Sequence, residues 1–165
     1  MSNSMKLIKF IGIILFCLFL GSCPHPGIDI LIGDYDYHLE AWNSQNMPDY
    51  TLLLDYYSKI PSINRVFITV KNGTPVSSEP EVWIAAGKMS TVPDIFSFIL
   101  EEEKKLRNSR CIETKGYFQV RYDSQYHNPN SISFASITTG SDRSSEWWWT
   151  IKLTPLVENE MESEE

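Results

Sequence analysis

The fold of this chain is decided by the stretch Val66-Phe67-Ile68-Thr69-Val70-Lys71-Asn72-Gly73. Three β-branched residues alternate in it with residues that face the opposite way, which is the period of a β-strand. Asn-Gly follows at once, and this dipeptide tolerates the positive φ angles of a type I′ turn. The stretch therefore predicts a β-hairpin whose return arm starts near Thr74. Because Pro75 cannot donate a ladder hydrogen bond, we expect this arm to lie at an edge of the sheet or to be short.

Similar runs on both sides of the hairpin predict the rest of a sheet. Segments rich in strand-forming residues and bounded by loop formers occur at residues 50–57, 117–122, 131–137 and 146–153. Residues 82–85 either continue the return arm or form a separate short strand. Together these segments predict an antiparallel sheet of about five strands.

One helix has a clear start in the sequence. Thr91 can cap it, Pro93 lies in the first turn, and Asp94 follows the cap by three residues, which is the spacing of a capping box. The apolar side chains that share one face of this helix are Val92, Ile95, Phe96 and Ile99. A shorter N-terminal helix is predicted for residues 34–46, before Pro48. The expected fold class is therefore α+β, with the main helix packed on a face of the sheet.

The final strand places three consecutive tryptophans on two faces. Trp147 and Trp149 share a face with apolar residues, so we expect that face in the core. Trp148 faces the other way, among polar residues. It either packs beneath a helix or loop, as a tryptophan usually does, or forms an aromatic platform for a sugar, a peptide or a partner protein.

The N-terminus has the organisation of a secretory signal. Two lysines precede eleven apolar residues, 10–20, a length that suits a signal core and is too short to span a bilayer. Leu20-Gly21-Ser22-Cys23 follows and resembles the lipobox of bacterial lipoproteins. The resemblance implies removal of residues 1–22 by cleavage between Ser22 and Cys23, with lipid attached to Cys23. An uncleaved membrane anchor with a chance cysteine is the alternative.

The processed chain is expected to consist of a tether, a single α+β domain and an acidic disordered tail, at residues 23–33, 34–157 and 158–165 respectively. Five of the eight tail residues are Glu. Cys17 leaves with the signal and Cys23 takes lipid, so Cys111 is the only thiol left and no intramolecular disulfide can form.

The chain is acidic, which limits its partners. Its net charge is −7, and loss of the two signal lysines brings it to −9. We therefore expect no binding to nucleic acid, and no attraction to an anionic bilayer except through the lipid on Cys23.

Pro24 stands at the position where an acidic residue would signal retention in the inner membrane. Its presence favours the outer membrane, with the protein facing the periplasm or the cell surface. An envelope protein or a glycan is the candidate partner.

The order of elements also resembles the domain-of-unknown-function family numbered sixty-one seventy-four, which consists of small bacterial lipoprotein domains. The matching segments are Ile68-Thr69-Val70-Lys71-Asn72-Gly73, Thr91-Val92-Pro93-Asp94-Ile95-Phe96, Tyr122-Asp123-Ser124-Gln125-Tyr126-His127-Asn128-Pro129-Asn130-Ser131-Ile132 and Asp142-Arg143-Ser144-Ser145-Glu146. The resemblance spans about residues 42–155, and His127 occupies a position where the family usually has Gly. It implies a fold and an envelope location, and no activity.

Asp123 and His127 are the candidate acid–base or metal pair. A metal needs three or four ligands, and the other histidines, His25 and His38, lie in the predicted tether and first helix. The sequence contains no Gly-x-Ser-x-Gly elbow, phosphate loop or zinc-ligand spacing. In the simpler interpretation Asp123 caps a turn and His127 is exposed, because Asp, Asn and Pro form turns by themselves.

The function expected is thus that of a non-catalytic binding or interaction module, without metal or cofactor. The alternative is a small envelope hydrolase that uses Asp123 and His127. The candidate binding surface consists of Trp148, Tyr126 and His127.

Overall fold

A computed structural model describes residues 27–58, 65–81, 83, 89–108, 114–138 and 144–156. These residues form two helices and one mixed sheet, so the predicted α+β class is confirmed. Several parts of the sequence discussed above lie outside the described residues: the signal segment including Ser22, the lipidation residue Cys23, Cys111 and the tail at 158–165. In the described ranges, neither helix is long and apolar enough to cross a membrane.

The described elements alternate along the chain as β1 (Gly27–Leu31), α1 (Tyr35–Gln45), β2 (Tyr50–Ser58), β3 (Arg65–Lys71), β4 (Thr74–Glu79), α2 (Val92–Asn108), β5 (Thr114–Tyr122), β6 (Pro129–Thr138) and β7 (Ser144–Pro155). The strands lie in the order β1-β5-β6-β7-β2-β3-β4. Five neighbouring pairs are antiparallel, whereas β1 and β5 are parallel.

The prediction of about five antiparallel strands is therefore wrong in number and in direction, since the sheet has seven strands and is mixed. The missed strand is β1, which the sequence assigned to the tether at residues 23–33. Its five residues pair with Lys115 to Gln119 of β5. Ile28 and Ile30 are half-buried on the core side, and alternate with exposed Asp29. A strand this short has little periodicity of its own, and a parallel partner far along the chain leaves no local turn signal.

The hairpin that decides the fold is confirmed. Asn72 has φ 51° and Gly73 has φ 72°, as a type I′ turn requires at both central residues. Two hydrogen bonds hold the turn against the preceding segment: Asn72 N–H donates to the side-chain oxygen Asp49 Oδ1 at 2.7 Å, and Gly73 N–H donates to the backbone oxygen of Pro48 at 2.8 Å. The return arm, β4, is an edge strand, which is the position that Pro75 predicts.

One face of the sheet carries the core. Every second residue of the central strands is buried there, including Leu52, Leu54, Val66, Ile68, Val70, Phe118, Ile132 and Ile151. Both helices cover this face, since α2 buries Val92, Ile95, Phe96 and Ile99 and α1 buries Tyr35 and Trp42 in the same cluster. The opposite face is left without a helix among the described residues.

The start of α2 is fixed by a reciprocal capping box. Asp94 N–H donates to Thr91 Oγ1 at 3.2 Å, while Thr91 N–H donates to Asp94 Oδ2 at 2.9 Å. The N–H of Val92 donates to the hydroxyl of Tyr50 at 3.2 Å. Because Tyr50 is the first residue of β2 and is 1% exposed, this bond joins the helix start to the sheet inside the core.

A second tyrosine joins the two helices. The hydroxyl of Tyr35 donates to the carbonyl of Phe96 at 3.1 Å, and the two rings meet edge to face at 5.4 Å. Trp42, further along α1, meets Tyr50 edge to face at 5.6 Å. Both helices are therefore tied to one aromatic cluster on the core face, which fixes which face of the sheet stays open.

Candidate binding groove on the open face of the sheet

The alternation predicted for the last strand is confirmed. Trp149 is 9% exposed and lies in the core, with Trp147 half-buried beside it. Trp148 faces the opposite way and is 38% exposed. The interpretation that a helix or loop covers Trp148 is therefore wrong, and the aromatic platform stays a prediction.

The open face is shaped by the side-chain sizes of three adjacent strands. β6 contributes small outward residues, Ser131 and Ser133, whereas the strands beside it contribute long ones. The register places Gln119 of β5 and Trp148 of β7 directly on either side of Ser133. The result is a groove along β6 with a serine floor, and its volume is about 360 Å³.

The two walls of the groove combine aromatic and polar groups. Tyr117, Gln119 and Arg121 form the β5 wall, and Glu146 and Trp148 form the β7 wall. Arg121 and Glu146 make no salt bridge to another described residue. Both charged groups are therefore available to a ligand.

Trp148 is held in place from behind. Tyr57 of β2 pairs with it across the strands, and the two rings are stacked at 5.1 Å with an interplanar angle of 11°. Since β2 lies on the side of β7 away from β6, Tyr57 covers the indole from the side opposite the groove. The indole is thus supported on one face and presents its other side to the groove.

The structure does not bring the predicted surface residues Trp148, Tyr126 and His127 together. Tyr126 is half-buried and packs against the core cluster, and His127 contacts α1, which lies on the core face. Trp148 lies on the opposite face. The three-residue surface is therefore wrong, because β-strand alternation and the turn after β5 direct these side chains to different sides of the sheet.

Asp123 caps the turn after β5, as the simpler interpretation predicted. Its Oδ1 accepts the N–H groups of Gln125 and Tyr126, both at 2.8 Å. The expectation that His127 is exposed is wrong, since it is half-buried. Its φ is 58°, a left-handed conformation that favours glycine. The side chains of Asp123 and His127 bond elsewhere and form no acid–base pair.

His127 pairs instead with His38 of α1, a contact that sequence reasoning missed. The two Nδ1 atoms are 3.2 Å apart. His38 is stacked on Tyr122 at 4.0 Å, and Tyr122 is itself anchored by donating to the carbonyl of Ile32 at 3.0 Å. Burial, and then the proximity of His127, lower the pKa of His38, while Asp34 opposes the shift. The contact between the two imidazoles joins α1 to the turn after β5.

No group of three or more metal-binding side chains occurs in the described ranges. The groove residues on β5 and β6 were also missed by sequence reasoning. The sequence does contain a pattern that indicates the groove floor, since Ser131 and Ser133 alternate with apolar residues in a predicted strand. What the sequence lacks is the strand order, which sets long side chains on both sides of these serines.

Comparisons with protein-family models, with curated proteins and with solved structures found no match. The groove and its residues are therefore interpreted from their own chemistry.

We predict unequal losses of stability for substitutions of Trp148 and Trp149, which lie on opposite faces of β7. Trp149→Ala should cost about 3–5 kcal/mol in unfolding free energy, since it empties a buried ring site. Trp148→Ala should cost about 1 kcal/mol, the order of its stack with Tyr57. Urea unfolding followed by circular dichroism measures both. Equal losses would mean that the open face is covered by part of the chain outside the described residues.

We also predict a pH effect from the histidine pair. Because the folded state lowers the pKa of His38 below its ordinary 6.5, the unfolded chain binds more protons as the pH falls, and stability is lost on that side. The wild type should therefore lose more stability than His38→Gln between about pH 7.5 and about pH 5. If the unfolding midpoints of the two proteins change by the same amount across this pH range, the prediction is contradicted.

Proposed function

We propose that this protein is a lipid-anchored, non-catalytic binding module of a bacterial cell envelope, and that the groove along β6 is its binding site. The observation that carries the proposal is the groove itself. It has a supported indole on one wall and, on both walls, charged groups that make no salt bridge to another described residue, and it lies on the sheet face that no described helix covers. An open sheet face that exposes aromatic side chains is typical of an interaction surface.

The location rests on the N-terminal sequence. A basic start, a short apolar core and Leu20-Gly21-Ser22-Cys23 support export followed by lipid attachment at Cys23. Pro24 supports transfer to the outer membrane. The protein would then face the periplasm or the cell surface, where its groove meets envelope components.

The hydrolase alternative gains no support from the turn that contains its two residues. The Asp123 carboxylate is occupied by backbone donors, and His127 is bonded to another imidazole instead of a carboxylate. A base needs an orienting partner and a substrate site within reach. The groove lies on the other face of the sheet and offers neither residue to a bound ligand.

For the anchor, we predict that Cys23→Ala abolishes acylation and leaves the chain in its precursor form. Metabolic labelling with a fatty acid should mark the wild type and give no signal in the variant. Cys111→Ala is the matched control, and it should be labelled as strongly as the wild type. Label retained by Cys23→Ala would place the lipid elsewhere and contradict the proposed anchor.

For the groove, we predict site-dependent crosslinking in intact cells. A photo-crosslinking benzophenone residue placed at position 150, an exposed position beside Ser131 on the open face, should capture an envelope component. The same residue at Lys104, an exposed position on α2 on the opposite side of the sheet, should capture none. Absence of an adduct at position 150, or equal adducts at both positions, would contradict a binding role for the groove.

A further inference from the structure

We propose that the occupant of the groove is a neutral glycan chain. This inference rests on the proposed function and specifies its ligand. Four features of the groove support it: the placement of its aromatic rings, the balance of its hydrogen-bonding groups, its charge and the pairing of its floor strand.

The aromatic rings are placed as a sugar requires. A pyranose ring has faces of C–H groups that pack on the electron-rich face of an aromatic ring. Trp148 offers such a face toward β6, and Tyr57 prevents the indole from folding away. Tyr117 stands on the opposite wall, two strand spacings across and two residues along from Trp148, or about 12 Å away at the backbone. A sugar ring stacked on Trp148 therefore lies over Ser133, and Tyr117 can meet the next sugar ring of the same chain.

The polar groups match the hydroxyl rim of a sugar. A sugar hydroxyl both donates and accepts, so it needs partners of both kinds. The amide of Gln119 and the hydroxyl of Ser133 each supply both, and they face each other across one row of the groove. Arg121 supplies only donors and Glu146 only acceptors, and two adjacent sugar hydroxyls can bond either group in pairs.

The charge of the groove argues for a neutral ligand. Arg121 and Glu146 balance each other, so the groove itself has no excess of one sign. The whole chain has net charge −7, which repels a polyanion. A glycan without repeated acidic groups fits both conditions.

A peptide strand fits less well. An extended peptide binds a sheet by adding to an unpaired edge, where its backbone gains ladder bonds. The floor strand β6 is already paired on both sides, with β5 and with β7. A peptide lying there would leave most of its backbone donors and acceptors without backbone partners, whereas a glycan has none to satisfy.

The groove is also long enough for more than one sugar. Its lining extends from Glu146 at one end to Ser131 and Arg121 at the other. Ser131 pairs with Thr150, four residues along β7 from Glu146, which corresponds to about 13 Å of strand. The expected ligand is therefore an oligosaccharide segment.

The first test identifies the adduct captured at position 150. After proteinase digestion, we expect the peptide that carries position 150 to be joined to sugar residues, which glycan-degrading hydrolases then shorten. A crosslink to a second peptide would overturn the glycan inference and leave the proposed binding function standing. No adduct would overturn both.

The second test measures binding by the full-length lipidated protein in detergent, with chitotetraose and cellotetraose as neutral probes. We expect saturable binding of at least one probe, weakened about tenfold by Trp148→Ala and by Gln119→Ala. Phe67→Ala, which removes an exposed aromatic ring outside the groove, should bind as the wild type does. Binding of neither probe by folded protein, or equal loss in all three variants, would overturn the inference.

Discussion

The arrangement of this protein depends on the burial of one face of the sheet beneath two helices. The decisive contact is the hydroxyl of Tyr50, which accepts the N–H of Val92 within the core and so fixes the start of α2 over the first residue of β2. A helix N-terminus has donors without intrahelical partners, and burying them requires an acceptor at each. The capping box and Tyr50 together supply those acceptors, so the helix can enter the core at this point and at little cost. Tyr35 then attaches α1 to α2 through Phe96, and both helices occupy the same side.

The open face follows from this arrangement. A strand directs alternate residues to opposite sides, so the residues that α2 does not cover are presented together on the other side. Their character differs from strand to strand, with small residues on β6 and long ones on its neighbours. The groove is thus produced by side-chain size on a regular sheet, without an insertion or an irregular loop among the described residues. This explains how a site can be rigid without a cleft between domains, since its three strands are held by continuous pairing on both sides of β6.

The sequence predicted what local interactions decide and missed what distant pairing decides. The hairpin turn, the capping box and the alternation of Trp148 with Trp149 depend on residues close together in the chain, and all three were predicted correctly. The strand β1 depends on a parallel partner about ninety residues later, so its pattern of two half-buried isoleucines was mistaken for part of a tether. The same reason applies to the site. Trp148 was predicted from its own strand, but its support by Tyr57 and its position opposite Gln119 require the order β5-β6-β7-β2.

The strand β1 also changes the geometry of the proposed anchor. With residues 27–31 in the sheet, the chain between the lipidation residue Cys23 and the first strand residue is only residues 24–26. Four residue steps span at most about 14 Å, so a lipid on Cys23 would hold the N-terminal end of β1 near the bilayer surface. β1 pairs with β5, and β5 forms one wall of the groove. The groove would then lie beside the membrane that carries the protein, instead of at the end of a long flexible arm. A ligand reached from this position must extend to the membrane surface, which is a stricter condition on the partner than envelope location alone.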